Sequence, residues 1–173
     1  MKKIILFIIL TLLILPVTTN AELNITFIDI NKVISTSKPG SSILKQLNDL
    51  NDKNLKYLNK EETVLKDREK NLKSQKNIIT EDDFKTRLEK LKNEINDYNK
   101  IRNKINIDFK KLKIENTNKF LKLINPILIR YSEEQSISLI LQKKDLVIGN
   151  NKLDITDKII KIINSEVKEF KIR

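Results

Sequence analysis

The chain has 173 residues, a formal net charge of +11, and no Cys, His or Trp. Without Cys and His it cannot form disulfides, the usual zinc sites, or the Ser-His and Cys-His nucleophile systems. Neighbouring acids such as Glu61-Glu62 and Asp82-Asp83 point to different sides of a helix and make no catalytic dyad. We therefore expect a protein that is not an enzyme and that uses no metal or other cofactor.

The N-terminus is organised like a secretory signal peptide. Lys2-Lys3 precede the apolar run Ile4–Leu15, and Thr19-Asn20-Ala21 places a small residue at each of the two recognition positions. An apolar run of 12 residues is shorter than the ~20 that span a bilayer, which favours cleavage after Ala21 over an uncleaved anchor. The sequence thus predicts export, with residues 1–21 removed.

The mature chain opens with a predicted strand. Residues 22–30 are rich in β-branched side chains, and the apolar positions of this strand are Ile25, Phe27, Ile28 and Ile30. Residues 31–40 read as a connector that ends in a Lys-Pro-Gly turn. We expect the next helix to begin at Ser41 or Ser42, because either hydroxyl could cap it.

A long amphipathic arm is predicted over residues 41–124, which contain neither Gly nor Pro. In its second half the apolar residues alternate in steps of four and three, with one polar slot at Arg102. These seam residues are Phe84, Leu88, Leu91, Ile95, Tyr98, Ile105, Phe109 and Leu112. In the first half Leu44, Leu58, Leu65, Leu72 and Ile79 fall at multiples of seven, and Leu47, Leu50 and Leu55 broaden the stripe.

The arm is predicted to fold back on itself near residues 77–82. The seam changes phase between Ile79 and Phe84, and Thr80 with Asp83 resembles a capping box at a new helix N-terminus. The alternative is a stutter within one continuous helix.

After the arm, the sequence indicates a small body built from residues 22–40 and 125–173. Pro126 should kink or restart the helix, residues 137–141 and 146–148 read as a short β-hairpin, and Asp154 or Thr156 can cap a final helix. Three short strands make a poor independent sheet, so we expect strand faces to be shared in an oligomer. The candidate residues for this shared core are Ile25, Phe27, Ile28, Ile30, Leu139, Leu141 and Val147.

Most of the positive charge lies on the arm, where residues 41–124 carry 21 basic against 14 acidic residues. Of the 34 basic residues 29 are Lys, so an AT-rich genome is a competing explanation for the excess. Apolar arm residues off the main seams are candidates for binding a client, unless they pack within the hairpin instead. These residues are Tyr57, Val64, Ile101, Ile107 and Ile114.

Both ends of the mature chain resemble the Skp/OmpH family of periplasmic chaperones. The opening residues 25–34 (ITFIDINKVI) and 39–47 (PGSSILKQL) are similar to its first strand and the start of its arm. Residues 137–148 (ISLILQKKDLVI) and 153–156 (LDIT) are similar to its closing strand pair and the start of its last helix. The resemblance extends over essentially the whole mature chain, although the arm matches only as a coiled coil.

The resemblance implies a fold and a function. The fold is mostly α, with a long antiparallel coiled-coil hairpin projecting from a small, short-stranded, oligomerising α/β body. The family implies a homotrimer in the periplasm whose arms enclose unfolded outer-membrane proteins without ATP. A lipopolysaccharide-binding site has been proposed in the family, and a basic arm would suit an anionic membrane or lipopolysaccharide surface. This sequence has no motif onto which the residues of that site can be mapped.

Two other functions were weighed against the holdase chaperone. The arm would serve equally as a strut or docking surface in a structural coiled-coil envelope protein or adaptor that holds no client. Nucleic-acid binding is disfavoured, because the chain carries an export signal and its charge is mostly Lys rather than Arg. We expect no nucleic-acid partner.

Overall fold

The computed structural model describes residues 23–172. The predicted signal peptide, residues 1–21, lies outside them. The elements in chain order are β1 (Ile25–Ile28), α1 (Ile30–Thr36), α2 (Lys38–Gln75), α3 (Glu81–Glu134), β2 (Leu139–Gln142), two 3-10 turns (Lys143–Asp145 and Asn151–Leu153) and α4 (Thr156–Glu166). The chain is mostly helical with one small strand pair, as the sequence predicted.

Two long helices, α2 and α3, pack against each other as an antiparallel hairpin, which excludes one continuous helix. They contain 38 and 54 residues and are separated by a turn at 76–80. Thr80 caps α3, since its hydroxyl accepts a hydrogen bond from the Asp83 N–H at 3.4 Å. Three acidic residues lie in the first turn of α3, where their negative charges interact favourably with the positive end of the helix dipole.

The predicted seam of the arm is confirmed by burial. All eight apolar seam positions of α3 are buried or half-buried, whereas the polar slot, Arg102, is exposed. On α2, Leu44, Leu58, Leu65 and Leu72 face the seam in the same way, as does Ile79 in the turn. Leu55, which was expected to broaden the stripe, is 48% exposed and lies at its edge.

The predicted connector at 31–40 was wrong, because a short helix, α1, occupies most of it. Asp29 caps α1 by accepting a hydrogen bond from the Lys32 N–H at 2.9 Å. The polar residues that suggested a loop lie on the exposed side of α1, while Val33 is fully buried. One buried side chain per two turns is too weak a pattern to identify a helix of seven residues.

Helix α2 begins at Lys38 rather than at Ser41 or Ser42. Its cap is Ser37, whose hydroxyl accepts a hydrogen bond from the Gly40 N–H at 3.3 Å. Pro39 is tolerated in the first turn because the N–H that it lacks would have no helical partner there. At Gly40 a Cβ atom would lie only 2.2 Å from the Ile34 carbonyl oxygen, so glycine permits the close approach of α1. The Pro-Gly pair therefore marks a helix start and not a turn.

The sheet is also different from the predicted hairpin. Strand β1 pairs in parallel with β2, with Ile25 opposite Leu139 and Ile28 opposite Gln142. Residues 143–145 form a 3-10 turn that directs the chain away from β2, and residues 146–148 belong to no strand. The other edge of β1 is occupied by the segment that leads into α4, through a hydrogen bond of 3.0 Å from the Ile155 N–H to the Phe27 carbonyl.

The hydrophobic core lies where the base of the arm meets the body. Its fully buried side chains come from α1, α2, α3 and α4, namely Val33, Ile43, Phe120, Ile124, Ile159 and Ile163. Helix α3 continues through Pro126 as far as Glu134, which excludes a restart at this proline, while the other predicted outcome, a kink, stays a prediction. The same helix thus supplies one half of the arm and one wall of the core.

A buried polar junction joins the strand to the last helix. The Thr156 hydroxyl accepts a hydrogen bond from the Asp29 N–H at 2.9 Å, and Asp154 accepts one from the Thr156 N–H at 2.9 Å. Lys143 lies 3.0 Å from the other oxygen of Asp154. Burial by itself would raise the pKa of Asp154, but the hydrogen bonds from Thr156 and Lys143 outweigh it and hold the pKa below its ordinary value. The N-cap residue of α4 is Ile155, with no side-chain cap, so the prediction that Asp154 or Thr156 caps this helix was wrong.

Candidate functional site

Within residues 23–172 no group of acidic side chains is arranged to hold a metal ion. None of the helices formed by these residues has the length and apolar content needed to cross a membrane. The clefts are shallow, and one of them, about 310 Å³, lies between α2 and α3 near the tip of the arm. The candidate functional site is therefore the surface of the arm.

The five apolar residues proposed to bind a client are all exposed. Their exposed fractions range from 37% for Val64 to 65% for Ile107. Each of the five is therefore partly open to solvent, and their role in binding a client stays a prediction.

Two contacts between the arm helices define which side chains share a flank. Arg68 Nη1 lies 2.7 Å from Glu94 Oε2, and Arg87 Nη1 lies 3.0 Å from Gln75 Oε1. The two contacts are seven residues apart on each helix, which is the spacing of an antiparallel heptad register. One further heptad towards the body brings Ile101 level with Glu61 of α2, between Tyr57 and Val64.

Three of the candidates lie together on one flank, which we call the apolar flank (Tyr57, Val64 and Ile101). Tyr57 and Val64 continue the heptad row of Asn71 on α2, and Ile101 continues the row of Arg87 and Glu94 on α3. Since Asn71, Arg87 and Glu94 line the same cleft at the tip, both rows face the same side. At 1.5 Å per residue, the apolar flank extends about 10 Å along the arm.

Ile107 and Ile114 form a second row on the outer side of α3. They are one heptad apart, and each is two residues from a seam position, which places it on the opposite side of the helix. The candidates therefore form two separate apolar surfaces and not one stripe.

Three exposed apolar residues of the arm, residues 41–124, were not among the client-binding candidates. Leu55 and Leu123 are 48% and 42% exposed, and Ile78 in the turn is 80% exposed. Leu55 was expected to broaden an apolar stripe, and Leu123 has the same helical spacing from the buried residues Phe120 and Ile127. Spacing alone does not distinguish the edge of a stripe from its centre, so nothing in the sequence separated them.

The positive charge of the arm is concentrated on the half of α3 nearest the body. Residues 100–122 contain eight basic and two acidic residues, a net charge of +6. Only Lys100 and Lys111 form ion pairs, with Asp97 at 3.0 Å and Glu115 at 3.9 Å. The other six basic side chains of this segment make no ion pair with residues 23–172, namely Arg102, Lys104, Lys110, Lys113, Lys119 and Lys122. The uncompensated field thus surrounds Ile107 and Ile114 and reaches Ile101.

The first helix of the arm has a more balanced charge. Glu62 and Lys66 form an ion pair of 2.7 Å on α2. The hydrogen bond and charge of Lys66, with a smaller contribution from Arg102, lower the pKa of Glu62, and Glu62 in turn raises the pKa of Lys66. Both groups remain ionised near neutral pH, so this part of α2 adds little net charge to the arm.

The predicted residues of the shared core divide into two groups. Phe27 and Ile28 are buried in the chain's own core, while Ile25, Ile30 and Leu141 are half-buried. Leu139 and Val147 are exposed, together with Ile148. A groove of about 380 Å³, which Leu139 lines, runs between β2 and the end of α3. Of the predicted set, Leu139 and Val147 are therefore the side chains most available to a second copy.

Comparison with known proteins adds a family and a fold. A family model described as outer membrane protein (OmpH-like) matches residues 24–163, from just before β1 into α4. No curated protein sequence matches the chain. Among solved structures, it is similar to a candidate outer membrane chaperone (OmpH-like) from Caulobacter crescentus CB15, with a TM-score of 0.75 and 16% sequence identity. The similarity covers 86% of this chain and 88% of that one.

Proposed function

Because the chain belongs to the OmpH-like family of outer membrane proteins, we propose that it is a periplasmic holdase chaperone. In this proposal it binds unfolded outer-membrane proteins without ATP and prevents their aggregation in transit. The observation that carries the proposal is the combination, on a long arm, of exposed apolar side chains and lysines that make no ion pair with residues 23–172. A coiled coil with only a structural role would require the lysines for solubility but not the exposed isoleucines.

The apolar surfaces suit a client that has no fixed structure. Strands of outer-membrane barrels alternate apolar and polar residues, so an unfolded barrel protein presents many separate apolar side chains. Covering about half of one isoleucine on the arm contributes on the order of 1 kcal/mol. Contacts this weak hold a client when many act together, yet each one exchanges readily. The client therefore stays bound without being fixed in one conformation.

The charge of the arm would act before these contacts form. Unfolded barrel proteins are often acidic, and a basic surface attracts them over about 8 Å at physiological salt. The charge raises the rate of encounter, while the apolar residues retain the client.

We further propose that three copies assemble through the body, with the arms side by side around a client. Leu139 supports this arrangement, because it is exposed on β2, whose second edge is unpaired in the described part of the chain. Val147 and Ile148 are exposed beyond the 3-10 turn that follows β2 and offer further apolar surface. The mass of the native assembly in solution tests the number of copies directly.

The chaperone activity is tested by mixing the purified protein with a urea-unfolded outer-membrane barrel protein and measuring light scattering on dilution. We expect suppression of aggregation at one assembly per client. A variant with serine at Tyr57, Val64, Ile101, Ile107 and Ile114 should lose most of this activity while its helix content is unchanged. Absence of suppression by the unaltered protein, at several assemblies per client, would favour the structural coiled-coil alternative.

A further inference from the structure

The segment that follows α4, residues 167–172, lies against the base of the arm. It is not helical, and its apolar side chains Val167, Phe170 and Ile172 are half-buried against the core. The intervening charged residues Lys168, Glu169 and Lys171 are exposed. We refer to residues 167–172 as the C-terminal segment.

The C-terminal segment is held through its backbone by one side chain of α2. Gln46 Nε2 donates a hydrogen bond to the Phe170 carbonyl at 3.0 Å, and Gln46 Oε1 accepts one from the Ile172 N–H at 3.2 Å. In an extended strand, the carbonyl of one residue and the N–H of the second residue after it point to the same side. The carboxamide of Gln46 therefore pairs with the segment as a peptide group of a neighbouring strand would.

The Gln46 carboxamide is also held in position. Its Nε2 lies 3.2 Å from the carbonyl oxygen of Ser42, one turn earlier on α2. Because both hydrogen bonds to the C-terminal segment involve backbone atoms, they would form with any extended segment. The recognition is thus independent of which side chains the segment carries.

One side chain of the segment has a more specific contact. The Phe170 ring lies under Lys119 of α3, with 4.5 Å between Nζ and the ring centroid, which is a cation–π geometry. A groove of about 550 Å³ remains open between the segment and α3, and it is lined by Leu123, Pro126 and Ile127. The site thus combines backbone pairing, a place for an aromatic ring and unfilled apolar space.

We propose that the surface of α2 and α3 beneath the C-terminal segment, together with the open groove beside it, is one binding site for extended segments of an unfolded client, and that the C-terminal segment covers part of this site until a client displaces it. We refer to the whole site as the groove. The inference rests on the proposed function and adds a second contact site to it. The occupant is an extended peptide with an aromatic residue and an apolar residue two positions later, which is the alternation of a barrel strand.

The packing of the C-terminal segment allows such an exchange. None of its residues is buried, whereas Phe120 and Ile124 behind it are almost fully buried. Release of the segment would uncover the apolar surface on which Val167, Phe170 and Ile172 pack, and an extended client would cover that surface again. A free peptide competes poorly with a segment of the same chain, because the attached segment has a high effective concentration. A client already held on the arm overcomes this difference, since it too is held close to the groove.

The exchange is tested by placing a spin label on the C-terminal segment of the full chain. The protein has no Cys, so Lys171→Cys provides a single attachment point on an exposed position. We expect the label to become mobile when a urea-unfolded barrel protein is bound, and to be mobile without client in a Phe170→Ser background. Bound client with an immobile label would overturn the inference and leave the proposed function intact. Failure to bind any client would instead contradict the proposed function.

The groove itself is tested without a client, using a fluorescent synthetic peptide with the sequence of residues 167–172. The full chain with Phe170→Ser and Ile172→Ser should bind this peptide at least tenfold more tightly than the unaltered chain, because its own segment no longer fills the groove. Adding Gln46→Leu should remove most of that gain, whereas Gln75→Leu, near the tip of the same helix, should not. Equal binding by the unaltered and released chains, or no effect of Gln46→Leu, would show that the groove is not a peptide site.

Discussion

Reversing three lysines on α3 should slow client capture in a way that depends strongly on salt. Lys104, Lys110 and Lys113 are exposed and unpaired within residues 23–172, so replacing them with Glu changes the charge of residues 100–122 from +6 to zero. Lys and Glu have similar helix propensities, and all three sites lie outside the seam. The substitution therefore changes the field of the arm with little effect on its fold.

The size of the effect follows from Coulomb's law with screening. Six charges at about 15 Å from a client charge contribute roughly 1 kcal/mol in water when the Debye length is about 30 Å, at 0.01 M salt. At 0.15 M salt the Debye length is about 8 Å, and the same charges contribute about 0.25 kcal/mol. For each charge on the client, the triple variant should thus capture the client about fivefold more slowly at low salt and less than twofold more slowly at physiological salt.

Stopped-flow fluorescence measures this rate without background, because the chain contains no Trp and the client's Trp can be observed alone. The matched control reverses Lys144, Lys158 and Lys161, which are exposed on the body and give the same change in net charge. Equal slowing by the two triple variants would show that the net charge of the protein, and not its position on α3, sets the rate of capture. A loss that is the same at both salt concentrations would refute the electrostatic argument altogether.

Three further predictions concern the body. Thr156→Val should lower the free energy of unfolding in urea by about 1–3 kcal/mol, because it leaves the buried Asp29 N–H without an acceptor, while Thr156→Ser should be much milder. Folding lowers the pKa of Asp154, so its contribution to stability is present above the unfolded pKa of about 3.9 and is lost as pH falls through the folded value. Below about pH 5 the free energy of unfolding of the unaltered protein should therefore fall more steeply with pH than that of Asp154→Asn. Parallel plots of the free energy of unfolding against pH would contradict this prediction. Leu139→Asp should dissociate the assembly with helix content retained, because Leu139 is exposed. Ile28→Asp should instead unfold the body, because Ile28 is buried in the chain's own core. Sedimentation velocity and circular dichroism together distinguish these two results.

The arm could be predicted from the sequence because its information is local. Seam residues such as Leu91 and Phe109 recur every three or four positions, and a helix converts that spacing into one buried face. The cap at Thr80 was identifiable for the same reason, since the hydroxyl and the N–H that it accepts from lie three residues apart.

The body was harder to predict because its partners are distant in the sequence. Residues 139–141 were correctly placed in a strand, but the strand pairs with β1, more than a hundred residues earlier, and not with the adjacent residues 146–148. At Pro39-Gly40 a turn and a helix start have the same local sequence, and the contact of Gly40 with Ile34 decides between them. The groove that holds residues 167–172 has no local signature, because Gln46 and Phe170 are brought together only by the fold.

The continuity of α3 from the tip of the arm into the core has a mechanical consequence. Phe120, Ile124 and Tyr131 fix one end of the same helix that carries Leu91 near the other end, and Ile43 and Leu47 fix the start of α2 beside it. Both arm helices are therefore fixed at the base and free at the tip, which is the geometry of a clamped beam. In a clamped beam of uniform stiffness the mean-square excursion of the free end grows with the cube of the length, so bending is distributed along the arm without a hinge. Arm length is then the variable that sets how far the tip of the arm moves.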